Sequence, residues 1–113
     1  LLRSLAKDWL PPRVHDLAKY AGEEAEKIRV GDQKSRWGSC SSKGTISLNW
    51  RLLLLRIDLQ DYVIFHELAH LRHMNHSPAF WAHLETLQPN ARIRDREINK
   101  AGKTLMTLGR KVS

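Results

Sequence analysis

Residues 62–71, Tyr62-Val63-Ile64-Phe65-His66-Glu67-Leu68-Ala69-His70-Leu71, carry the pattern on which the fold turns. On an α-helix, positions four apart lie on one face about one turn apart, so His66 and His70 can offer two imidazoles to one ion. Glu67 follows the first imidazole directly, where a carboxylate reaches a metal-bound water without being a ligand itself. Imidazole suits zinc, and two ligands on a rigid helix begin a tetrahedral site that still needs a third protein donor. The same short pattern also fits two hydrogen-bonded core histidines beside a solvated glutamate, so its surroundings decide.

Those surroundings favour a metal. Asp58 is placed to cap the helix, with Asp61 three residues on in a capping-box position. The helix is predicted from Leu59 to about His73, with apolar residues around most of its circumference, as in a buried central helix. Asn75 suits the left-handed turn that ends helices, and Ser77-Pro78 opens the next one, Pro78 to about Leu87. His73 shares a face with His66 but lies about 10 Å along the axis, too far to converge with both imidazoles on one ion. The third ligand should come from a chain that has turned back. His76 fits that position, and Glu85 on the next helix is the competing donor.

Working outward, the 113 residues make one domain with a single modest core. The longest apolar run is Leu52 to Leu55, flanked by Arg51 and Arg56 and far short of the roughly 20 residues that span a bilayer, so no membrane association is expected. The lone Cys40 excludes an internal disulfide and fits a reducing compartment, which predicts a cytoplasmic location. The net charge is +7, and Arg92, Arg94, Arg96, Lys100, Lys103, Arg110 and Lys111 stand against only Asp95 and Glu97 in the last 26 residues. Such a segment can bind nucleic acid weakly through the phosphates, but its mixed order Arg94-Asp95-Arg96-Glu97 favours a solvated helix face.

Toward the N-terminus, a helical rhythm over residues 1–10 is predicted to break at Pro11-Pro12, with a second helix from Pro12 or Arg13 to Tyr20. Ile28-Arg29-Val30 and Thr45 to Asn49 alternate as strands, and Lys34 to Cys40 looks extended, which predicts a hairpin or small antiparallel sheet. Asn49 is positioned to cap a short helix over Trp50 to Leu55. A last helix is predicted from Arg92 to Leu108. The fold class is therefore α+β, a small sheet or hairpin packed on a central HExxH helix with flanking helices.

The run from Tyr62 to Leu71, then Asn75-His76-Ser77 and Phe80-Trp81, resembles the YgjP-like metallopeptidase family, relatives of the SprT-like zincins. Ser35-Arg36-Trp37-Gly38-Ser39-Cys40, with Gly44, Ile46, Leu48 and Asn49, is similar to that family's second signature. The likeness covers about residues 9 to 100. It implies a zincin-like domain with Zn2+ bound by His66, His70 and His76 and Glu67 as the catalytic carboxylate. The spacing from His70 to His76 also matches the metzincins, but His73 stands where those have glycine and no Met-turn follows. Members of the family usually carry more N-terminal sequence, so residues 1–113 are expected to be a single domain at the C-terminal end of a longer protein.

The expected activity is hydrolysis of polypeptides by a zinc-bound water that Glu67 deprotonates. Arg36, Tyr62, Arg72 and His73 are the candidates to stabilise the oxyanion. The strand Thr45 to Asn49 is a candidate to hold an extended peptide by edge addition. Arg36 to Cys40 reads equally as a structural turn, with Gly38 for backbone geometry and Trp37 for packing, and Cys40 as packing rather than a nucleophile. Two rivals come from other classes. One is a metal-dependent nucleotide pyrophosphohydrolase, against which stands the lack of a glycine-rich phosphate loop or a carboxylate cluster for magnesium. The other is a nucleic-acid-associated zinc protease or binding module, motivated by the basic C-terminal segment. Oligomeric state is not legible.

Overall fold

In the computed structural model, described for residues 1–106, Leu2–Ala21 forms one helix, α1. The break predicted at Pro11-Pro12 does not occur, although an interior proline costs about 3 kcal/mol. An uninterrupted apolar stripe outweighs that cost. Ala6, Leu10, Val14, Leu17 and Ala18 recur at three- and four-residue spacing and are all buried, so a break would pull half of the stripe out of the core. Gly22 then ends the helix at φ 71°, a left-handed cap.

Three strands follow: β1 (Lys27–Gly31), β2 (Gly38–Cys40) and β3 (Thr45–Asn49), in the order β1-β3-β2. β2 and β3 form the antiparallel hairpin. β1 joins the other side of β3 in parallel, Ile28 against Ile46 and Val30 against Leu48, so the sheet is mixed. β3 is thus the central strand, and Thr45–Asn49 has no edge to offer a peptide. The exposed edges belong to β1 and β2. The irregular connection between β1 and β2 is tied down by the fully buried Asn49, whose Nδ2 donates to the carbonyls of Gln33 and Arg36, each at 3.0 Å. Its Oδ1 accepts from the Arg51 amide at 3.0 Å and so caps a short 3-10 helix over Trp50–Leu54.

Arg51 is fully buried and is neutralised beneath the sheet. Its guanidinium pairs with the Asp32 carboxylate, reaches Asn49 Oδ1 at 3.3 Å and lies 4.7 Å over the Trp50 ring. The Arg51 hydrogen bond is the main reason the Asp32 carboxyl is held below its ordinary range. A depressed carboxyl stabilises the fold above its unfolded pKa, and that contribution is lost as pH falls through its folded value. Asp32→Asn should lower unfolding free energy by about 2 kcal/mol, less than the roughly 3–5 kcal/mol for a fully orphaned buried charge because Asn49 still accepts one bond. Urea denaturation at neutral pH checks this, and the difference between variant and parent should shrink toward acid pH.

The central helix, α2, spans Ile57–His70 and touches α1, β2, β3 and the two later helices. It begins two residues earlier than predicted. Asp58 lies inside the first turn and pairs with Arg56 at 3.0 Å, and Asp61 is gripped by Arg13 through bonds of 2.9 and 2.6 Å. Neither caps the helix, since both carboxylates are drawn into ion pairs; Asp58 still favours the positive end of the helix dipole. The helix ends at His70 rather than about His73, where amides of Leu71, Arg72 and His73 fold back on the carbonyls of Leu68 and Ala69. Asn75 is not left-handed; among the described residues only Asn90 is a non-glycine with positive φ.

Ser77 caps α3 (Pro78–Leu87), accepting from the Phe80 amide at 3.2 Å, with Pro78 in the first turn. α4 runs Ala91–Leu105, and the predicted extension to Leu108 falls outside the described residues, as do Arg110 and Lys111. No helix among the described residues is long and apolar enough to cross a membrane.

Candidate metal centre

Helix α2 and the turn after it bring His66, His70 and His76 together as the sequence predicts. Their Nε2 atoms form a nearly equilateral triangle: 3.3 Å from His66 to His70, 3.2 Å from His66 to His76 and 3.1 Å from His70 to His76. Ligands about 2.0–2.1 Å from a tetrahedral zinc stand about 3.3–3.4 Å from one another, so the triangle has the size of one face of such a site. Among the described residues this is the one group of three or more potential donors close enough to share an ion.

Protonation also fits. His70 Nδ1 lies 2.9 Å from the His73 carbonyl, which can only accept, so Nδ1 carries the proton and the Nε2 lone pair points into the triangle. His66 Nδ1 lies 3.3 Å from the Tyr62 hydroxyl, which donates onward to Asp95 Oδ1 at 2.8 Å; the hydroxyl oxygen is thus left to accept from His66. Burial, with His70 and His76 close by, pushes His66 down to about 3, and burial also lowers His70. Imidazoles held neutral with converging lone pairs repel one another unless a cation lies between them. The donor set suits a borderline-soft divalent ion.

Aromatic packing fixes the rings. Phe80 is fully buried beneath them, stacked on His70 at 4.5 Å and 26° and presenting an edge contact to His66 at 5.0 Å. Trp81 stands beside His66 and His76 and is itself covered by the Arg92 guanidinium 4.0 Å above its ring.

Glu67 projects from α2 onto β2 and is only 6% exposed. Burial pushes its carboxyl up to about 8, with Arg36 opposing, and a carboxyl near neutrality can both take and return a proton. Gly38 makes room for it. A Cβ at that position would lie 3.1 Å from Glu67 Cγ and 3.3 Å from Oε2. The glycine of the Arg36 to Cys40 segment is thus needed for close approach and not for an unusual backbone angle, since its φ is not positive.

The remaining candidates separate clearly. Glu85 is remote from the triangle: its oxygens accept from the amides of Asn90 (2.7 Å) and Ala91 (2.9 Å) and so cap α4. Tyr62 backs His66, Arg72 pairs with Glu23, and His73 contributes its carbonyl to His70. Of the four oxyanion candidates, Arg36 and Tyr62 line the cleft of about 210 Å³ that opens beside His66 and Glu67. Tyr62 shares that cleft wall, but its hydroxyl is already committed. The Cys40 thiol is pushed up to about 11 by burial and by Glu67, which fits packing rather than nucleophilic chemistry. Asp95 was not singled out by the sequence as part of the site; a carboxylate on the last helix has no local signal linking it to a tyrosine 33 residues away.

Tyr62→Phe removes only the hydroxyl between Asp95 and His66. It should weaken binding of a divalent ion at the triangle about 10-fold, in the lower part of the range for groups that orient metal-ligating histidines. Competition against a chromophoric chelator measures it, and unchanged affinity would show that the hydroxyl does not orient His66.

A family model described as a YgjP-like metallopeptidase domain matches residues 1–101. Among solved structures, the chain is 32% identical to the metallopeptidase zymogen abylysin of Pyrococcus abyssi, covering 78% of this chain and 93% of that one at a TM-score of 0.67. The metallopeptidase zymogen jannalysin of Methanocaldococcus jannaschii, 23% identical, shares the fold over 80% of this chain and 91% of its own at a TM-score of 0.64. No curated protein matches the chain.

Proposed function

Because the chain belongs to the YgjP-like metallopeptidase family, we propose that it is a zinc-dependent peptidase in which His66, His70 and His76 hold the metal and Glu67 is the catalytic carboxylate. The observation that carries this reading is the triangle of converging Nε2 atoms on the helix that also buries Glu67. Zinc, when bound, would supply Lewis acidity to the attacking water and the scissile carbonyl.

Within that frame, the chain's own groups divide the work. Glu67 takes the proton of the attacking water and passes it to the nitrogen of the leaving amine. Arg36, beside Glu67 at the cleft mouth, offers a guanidinium to the oxygen on which charge builds. Tyr62 and Asp95 hold the His66 ring, and the His73 carbonyl holds that of His70. An extended substrate would pair with the edge of β2, the strand against Glu67, in place of the central β3.

The rival nucleotide pyrophosphohydrolase needs carboxylates converging on magnesium, and among the described residues the converging donors are imidazoles. Incubating the chain with unfolded casein and with nucleoside triphosphates, after chelation and after zinc is restored, tests the reading. Casein should be cut only with zinc present. Hydrolysis of triphosphates with casein left intact would replace it by the pyrophosphohydrolase.

A further inference from the structure

Two cations from different elements stand near the imidazole triangle. Arg36, just before β2, lines the cleft with Glu67 and has the oxyanion as its task. Arg92, on α4, has no part in that scheme. Its guanidinium lies 4.0 Å over the Trp81 ring, and that ring stands 6.3 Å from the His66 ring and 6.2 Å from the His76 ring. The guanidinium is therefore within about 10 Å of both imidazoles. Asp95, one turn further along the same face of α4, lines the cleft itself.

The Arg92 guanidinium is held in place without being neutralised. Among the described residues no carboxylate pairs with it, and the acids around it are engaged elsewhere. One oxygen of Asp95 accepts from Tyr62 and the other from Asn99. Glu97 pairs with Arg56, and Glu85 accepts from the first amides of α4. Stacking on Trp81 uses the face of the planar group and leaves its N–H edges for a bidentate partner. Arg92 is exposed, so such a partner can arrive from solvent. Burial and Asp95 push the Tyr62 hydroxyl up and the Arg92 charge opposes them, as fits a guanidinium near the cleft wall that Tyr62 and Asp95 form.

We propose that Arg92 receives the terminal carboxylate of a polypeptide, so that the site preferentially removes one or two residues from the C-terminal end; this assignment rests on the peptidase reading above. An extended chain rises about 3.3 Å per residue, so one or two residues beyond the scissile bond carry the carboxylate from the triangle to the guanidinium. A fixed planar fork matches the two oxygens of that carboxylate. Residues before the scissile bond keep the edge of β2. Water adds across the scissile amide: its oxygen goes to the carbonyl carbon, the C–N bond breaks, and the released amino acid or dipeptide leaves with the proton that Glu67 carried. The carboxylate on Arg92 is unchanged by the reaction.

The test uses the zinc-loaded full chain and N-acetylated peptides of one neutral sequence, ending in a free carboxylate or in a carboxamide. A third peptide is amidated and has Glu as its last residue. The free acid should exceed its amide in kcat/KM by about tenfold, as a charge-assisted hydrogen bond gives, and mass spectrometry should find it shortened by one or two residues. In Arg92→Gln the ratio should fall to about one, and in Arg92→Lys to an intermediate value, since the charge remains and the fork is lost. Each ratio is taken within one variant, so any change in zinc occupancy cancels. Equal rates for acid and amide in the parent, a ratio undiminished in Arg92→Gln, or an amide ending in Glu that matches the free acid overturns the assignment; cleavage of any of these peptides leaves the peptidase reading standing. If none is cut, that reading fails, and anisotropy with the labelled acid and amide decides for Arg92. Tighter binding of the acid, lost in Arg92→Gln, supports it; equal binding in the parent, or a preference that the variant keeps, overturns it.

Discussion

Glu67→Gln should reduce hydrolysis of unfolded protein by about 10²–10⁴-fold, the usual contribution of a positioned general acid–base group, with zinc content unchanged. The substitution keeps the shape of the side chain, so the close contact with Gly38 survives. What it removes is the ability to accept a proton at a site where burial has raised the carboxyl toward neutrality. Binding of the metal should not change, because Glu67 lies outside the donor triangle. A variant as active as the parent would dismiss Glu67 as the base, and one that also loses zinc would mean that the carboxylate belongs to the metal site. Metal analysis and turnover, measured on the same preparation, separate the three outcomes.

His76→Ala should weaken zinc binding by more than about 100-fold, beyond the range seen when a group that merely orients a ligand is lost. Two imidazoles on α2 would remain, and a tetrahedral site rarely holds on two protein donors. The apo protein should melt close to the parent, since His76 is exposed and its removal opens no cavity in the core. Glu85→Ala provides the contrast. It should lower stability slightly through lost capping of α4 and leave zinc affinity alone. If the two variants behaved the other way round, the third donor would be Glu85.

The parts of this site that were legible in the sequence are those written in local chemistry. The four-residue spacing of His66 and His70 needs only a helix, and Ser77-Pro78 states where the next helix starts. Together they bracket a short turn that can return His76 to the first two imidazoles. Asn49 as a cap for the following short helix was legible for the same reason. The rest depends on contacts between distant segments. Nothing local shows that the stripe Ala6 to Ala18 would carry α1 through two prolines, or that β1 would take the parallel side of β3 and make it central. Asp58 and Asp61 carry a capping pattern, yet Arg56 and Arg13 claim their carboxylates. Gly38 looked like a turn glycine, and its purpose emerges only when α2 brings Glu67 against β2. Asp95 joins the site through a tyrosine on another helix.

The most direct measurement of the central claim is the rate of casein hydrolysis by metal-stripped protein as zinc is added back, with bound zinc determined at each point. The rate should rise in proportion to bound zinc and level off at one ion per chain, the capacity of the single imidazole triangle among the described residues. A rate indifferent to bound zinc, or one that keeps climbing after the first ion is in place, would contradict it.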